Sequence, residues 1–188
     1  MTLKKKLRIT GPQASTYQLG QPMSVYAGNL LIVTLDPVRV GNDGTEVHFE
    51  EFAPEQVVFE EERPLGRLVL FEIFAFIAEH FPQVQAISFS LSRPIKGIFG
   101  SAQQVASRVE VLQSSGITYL RVEPRSSGEH VISGIWTYSD QNLAALRAAL
   151  EEQREVFRER PIGAVGRKRP GLLARLHRLM PGRNPESS

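Results

Sequence analysis

Apolar positions fall into short β-like runs up to residue 62, then into one long helical run, then into alternating strands and helices. Leu7-Arg-Ile-Thr10 reads as a short strand ended by Gly11-Pro12. Met23 to Asp36 holds the run Leu30-Leu-Ile-Val-Thr-Leu35, β-branched and too short for a helix. Gly41-Asn-Asp-Gly44 reads as a tight turn, because Asn, Asp and Gly accept the positive φ that hairpins need. It joins Val38-Arg-Val40 to Glu46-Val-His-Phe-Glu50, where apolar and polar residues alternate as on a half-buried strand. An acidic strand, Glu55 to Glu62, closes the β region.

Pro64 marks a change of period. Proline suits the first turn of a helix, where its missing N–H would have had no partner. Leu68, Val69, Leu70, Phe71, Ile73, Phe74, Phe76 and Ile77 leave almost no polar face, so a helix over 64–80 is expected to be buried on most sides. Glu72 and Glu79, seven apart, mark the narrow stripe expected to be exposed. Phe81-Pro82 ends the helix and Val84 to Leu91 reads as a strand. Ala102, Val105, Val109 and Leu112 recur at helical spacing before a glycine stop at Gly116. Thr118–Glu123 and His130–Tyr138 form a hairpin around Pro124–Gly128, and Ser139-Asp140 caps a last helix with the stripe Leu143, Leu146, Leu150 and Phe157. The pattern predicts an α+β domain over 1–160, with a mixed, largely antiparallel sheet around the helix at 64–80.

Composition narrows the chemistry. The chain has no cysteine among its 188 residues, which removes disulfides, thiolate metal sites and a cysteine nucleophile. Its four histidines lie far apart, without the spacing that chelates zinc. No apolar run approaches the roughly 20 residues a membrane span needs. The basic start, Met1 to Arg8, lacks the apolar core of a signal peptide, so a cytoplasmic protein is expected. Seven of the 22 Lys/Arg lie between Arg160 and Arg183 with no acid among them, leaving 15 basic and 19 acidic residues in positions 1–159. A body of mildly negative charge argues against a nucleic-acid-binding face. Residues 161–188 read as a basic Pro/Gly-rich tail. Leu172, Leu176 and Leu179 share one face of a short helix at 171–180 that forms only on a partner or a membrane surface.

The first N–H groups of a helix have no partner inside it, so a strand-to-helix turn is a natural anion site. The turn here is Arg63-Pro-Leu-Gly66-Arg-Leu68. With the order strands, glycine turn, long helix, strand, helix, strand pair, it resembles the Gcn5-related N-acetyltransferase superfamily. In that family an Arg/Gln-x-x-Gly-x-Gly/Ala loop binds the pyrophosphate of acyl-coenzyme A. The match covers Arg63 and Gly66, whereas Leu68 replaces a small residue. The two helices that separate the family's first strands have no counterpart, since Gly11–Gln21 is too short and polar. The resemblance implies a protein that binds acetyl-CoA or another acyl-CoA, with the N–H groups of Gly66, Arg67, Leu68 and Val69 around phosphate and Arg63 and Arg67 adding charge. It implies a general base on the preceding strand, where Glu60 and Glu62 stand. The family's tyrosine acid falls at Leu112, so Tyr138 or Tyr119 would have to act instead, and activity would be reduced or lost.

The residues also admit plainer readings. Gly66 can simply begin a buried helix, and three glutamates before two arginines can be a solvated charge cluster. Ser88, Ser90 and Ser92 share a strand face, but no His and Asp can be assigned to them. Trp136 and Tyr138, two apart, either line a cleft or pack in the core. His80 is expected to contact the last carbonyls of its helix. The competing function is a non-enzymatic adaptor whose basic tail docks to an acidic partner or an anionic membrane surface. A splayed strand pair near 57–60 and 86–90 would admit a cofactor, and continuous pairing would close the site.

Overall fold

A computed structural model of the chain describes residues 7–52, 65–94, 101–124 and 129–158. Strands β1 (Arg8–Thr10), β2 (Met23–Ala27) and β3 (Leu30–Leu35) form an antiparallel sheet in that order. The apolar stretch from Met23 to Asp36 is thus two strands. Gly28 turns the chain between them at φ 62°, a conformation glycine adopts without steric cost. The second sheet holds β4 (Val38–Gly41), β5 (Glu46–Phe52), β6 (Ala86–Pro94), β7 (Ile117–Pro124) and β8 (Glu129–Thr137) in the order β4-β5-β6-β8-β7. The hairpins expected at 41–44 and around 124–128 pair β4 with β5 and β7 with β8. This is the mixed, largely antiparallel sheet the sequence predicts. The separate sheet before it was not anticipated.

Helix α1 (Leu65–His80) connects β5 to β6, which run parallel, and α2 (Ser101–Ser114) connects β6 to β7 across β8. Both crossovers advance in the same direction through the sheet, and the right-handed rule for such units sets both helices on one face. Helix α3 (Asp140–Arg158) packs on α1 and α2. Ser139 caps it as expected, its Oγ accepting the Asn142 N–H at 3.1 Å. Gly116, at φ +85°, stops α2.

The covered face of the large sheet carries Val47, Phe49, Ile87, Phe89, Ile132 and Trp136, all buried. Position 134 shares that face by its register with Phe89, and it is glycine because a Cβ there would stand 2.8 Å from Ile117 Cγ2 and 2.9 Å from Leu120 Cδ2. Phe74 of α1 meets this layer, its ring 5.7 Å from Phe89 and 6.2 Å from Trp136. Trp136 is therefore a core residue. His80 Nδ1 lies 3.0 Å from the Phe76 carbonyl oxygen, the expected helix-end contact.

One expectation fails inside α1. Glu79 is exposed, but Glu72 is only 2% exposed. Its two carboxylate oxygens accept from Arg154 Nε and Nη2, each at 2.9 Å. The seven-residue spacing located the polar stripe, but α3 covers half of it and supplies the counter-charge. The result is a single α+β domain with three helices and two sheets among the described residues.

Candidate anion site at the start of α1

Because β5 and β6 are parallel, α1 must run back against both and begin at their carboxyl ends. In open parallel units, ligands bind at that end. The β5–β6 ladder is regular from Glu46↔Ala86 to Phe49↔Phe89, then shifts before Phe52↔Leu91, on the side where α1 begins. Residues 57–60 lie outside the described range, as do Glu60, Glu62 and Arg63; β6 takes residues 46–52 as its parallel neighbour.

Of the residues expected to bind cofactor, Gly66, Leu68 and Val69 are buried. Leu68 belongs to the hydrophobic core, so its bulk is turned inward. Arg67 is only half-buried. Its guanidinium is held below the ordinary arginine range, first by burial, then by repulsion from Arg108, with partial relief from Glu152. Arg108, on α2 and equally half-buried, is lowered by burial. The sequence pointed to neither Arg108 nor Glu152, because nothing local places α2 and α3 beside the first turn of α1. The first turn itself contains no acidic residue.

Tyr138 is not brought to this site. It is 45% exposed, and its N–H donates to the Gln85 carbonyl at 2.7 Å, just before β6 begins. That is the opposite end of the sheet, since β8 runs antiparallel to β6. The 16 residues of α1 lie between the two positions, about 24 Å at 1.5 Å per residue. Leu112, where the resemblance would set a tyrosine, is buried. Tyr119 is 81% exposed on the edge strand β7.

The other face of the large sheet is partly exposed. There His48 Nδ1 and Ser88 Oγ lie 2.8 Å apart, a contact that only the parallel register of β5 and β6 creates. Acyl transfer to Ser88 would also need N–H donors aimed at the developing oxyanion. Ser88 sits between β5 and β8 in continuous ladders, whose bonding consumes such groups. The pair is thus a cross-strand hydrogen bond. The same face carries a groove of about 590 Å³ lined by Asp36, Glu50, Glu123, Ser90 and Ser133. Among the described residues, no group of three His, Asp or Glu could hold a metal ion, and no helix is long and apolar enough to cross a membrane. In comparisons with known proteins, no family model, no curated protein and no solved structure matches this chain.

Proposed function

We propose that this chain is an acyltransferase-like protein that binds acyl-coenzyme A through its phosphates at the turn into α1, with weak or absent transfer activity. The supporting observation is the parallel β5–α1–β6 unit, which presents the start of α1 and the half-buried Arg67 at the carboxyl ends of the two strands. Weak activity follows from Tyr138 lying at the far end of the sheet and a buried leucine at 112.

Thermal denaturation of the full chain with coenzyme A tests this reading. Ligand at 100 times its Kd stabilises the folded state by about 2.7 kcal/mol, a readable rise in Tm. Arg67→Glu should remove the rise, because it sets a carboxylate against the phosphates. A parent protein that does not respond to millimolar coenzyme A would refute the proposal.

The groove on the open sheet face favours a second reading, a protein-interaction module for a basic segment. Asp36, Glu50 and Glu123 line it, which supports a cationic occupant. The basic stretch 160–183, which the adaptor reading assigns to an acidic partner or a membrane, lies outside the described residues.

A further inference from the structure

Helix α1 runs from the carboxyl ends of β5 and β6 back toward their starts, and α3 runs the other way from the end of β8. The two helices meet at Glu72 and Arg154. From there α1 has about 10 Å back to its start and α3 about 6 Å on to its end, at 1.5 Å per residue. Both therefore finish at the same end of the large sheet. The groove on the open face lies at that end too, since Glu50 and Glu123 stand near the carboxyl ends of β5 and β7, and Val131 near the start of the antiparallel β8.

Asp36, Glu50 and Glu123 line this groove, and no lysine or arginine does. Arg39 lies 2.8 Å from Glu50 and Arg121 3.5 Å from Glu123, but both arginines are largely exposed, and ion pairs of that kind hold their carboxylates weakly. Ser90, Val131 and Ser133 between the carboxylates are only half-buried, although a parallel pair such as β5–β6 is ordinarily covered on both faces. A space of about 590 Å³ takes a few long side chains and not a helix. The chain leaves α3 at Arg158, and the cluster Arg167-Lys168-Arg169 follows eight residues, 159–166, later. Eight residues reach up to about 26–29 Å, and crossing a helical layer and the sheet takes roughly 20 Å.

We propose that Arg167, Lys168 and Arg169 of this chain's own tail dock in the acidic groove, against Asp36, Glu50 and Glu123. The inference rests on the reading of the groove as a site for a basic segment, and it names that segment. The short tether holds the tail at a roughly millimolar effective concentration, so charge contacts too weak to retain a free peptide suffice within one molecule. A groove filled this way is closed to other basic segments until the tail is drawn off.

The chain has no cysteine, so a nitroxide on Gly171→Cys reports the position of the tail in the full-length protein. At about 0.05 M salt it should weaken the amide signals of Ser90, Val131 and Ser133 by about twofold or more, and spare Asn142 at the far end of α3. Raising the salt to about 0.5 M should restore them. Replacing Arg167, Lys168 and Arg169 with glutamate should abolish the effect, and adding Glu50→Lys and Glu123→Lys should bring it back. Undiminished groove signals in the parent, or attenuation that survives the reversed tail charges, overturns the proposal. Attenuation that fades on dilution belongs to the tail of a second copy and also overturns it. A synthetic peptide of residues 165–171, added to the variant with reversed tail charges, separates the two readings. Peptide-induced shifts at Ser90 and Ser133, without tail docking in the parent, keep the groove as a site for a basic segment and remove this inference; no shifts and no docking remove both.

Discussion

Arg154→Ala should be among the most damaging single substitutions outside the apolar core, and more damaging than Glu72→Ala. The reason is the uneven exposure of the pair: Glu72 is 2% exposed and Arg154 31%. Removing Arg154 strands a carboxylate in the α1–α3 interface, and uncompensated buried charges of this kind cost about 3–5 kcal/mol. Removing Glu72 leaves a guanidinium that still reaches water and has Glu151 at 3.6 Å, so about 1–2 kcal/mol is expected. Replacing both with leucine should cost less than Arg154→Ala alone, because apolar pairs of similar volume substitute well for buried ion pairs. Urea denaturation followed by circular dichroism measures all three, provided the m-values agree. Equal losses for the two alanine variants, or a loss below about 1 kcal/mol for Arg154→Ala, would refute the claim that burial of Glu72 sets the energetics.

Two further perturbations test the core and its titration. Phe74→Ala should cost about 3–5 kcal/mol in the same assay, since Phe74 is fully buried against Phe89 and Trp136; a Tm within a degree or two of the parent would contradict the packing of α1 on the large sheet. Burial pushes the Tyr17 hydroxyl up to about 12, with the Gly20 backbone offsetting part of the rise. Below about pH 10 the hydroxyl is protonated in folded and unfolded chains alike and contributes no slope. Between pH 10 and about 12 the unfolded chain releases a proton the folded one keeps, so stability should fall by about 2–3 kcal/mol. Tyr17→Phe should lose that part of the alkaline decline, and identical pH profiles would exclude Tyr17 as its source.

Most elements were legible because their signals are local. The run Leu68 to Ile77 could only be a buried helix, Gly41–Gly44 could only be a turn, and Ser139 stood where a cap belongs. Strand pairing was not local. Nothing between Met23 and Val40 says that β3 and β4 enter different sheets, although both stretches were read as strands. Glu72 was misjudged for a related reason: periodicity reveals which side of a helix is polar, but not whether another helix brings an arginine to it. The acidic segment at 55–62 and the tail lie outside the described residues, so neither bears on this comparison.

The candidate site shows the same division between local and long-range signals. Arg67 was visible as a charged residue in a strand-to-helix turn. Its meaning depends on Arg108, 41 positions later, and on Glu152 beyond that. The helical layer supplies its own comparison. Arg154 is shared between α1 and α3 and has both forks of Glu72 plus a second carboxylate, so its charged form is favoured above the ordinary arginine range. Arg67 and Arg108 lie in the same layer with the opposite shift, burial without a paired carboxylate. A guanidinium that only had to hold helices together would be expected to resemble Arg154. Arg67 instead leaves positive charge at the start of α1, whose first turn has no acid of its own, and that is the support for reading the turn as an anion site.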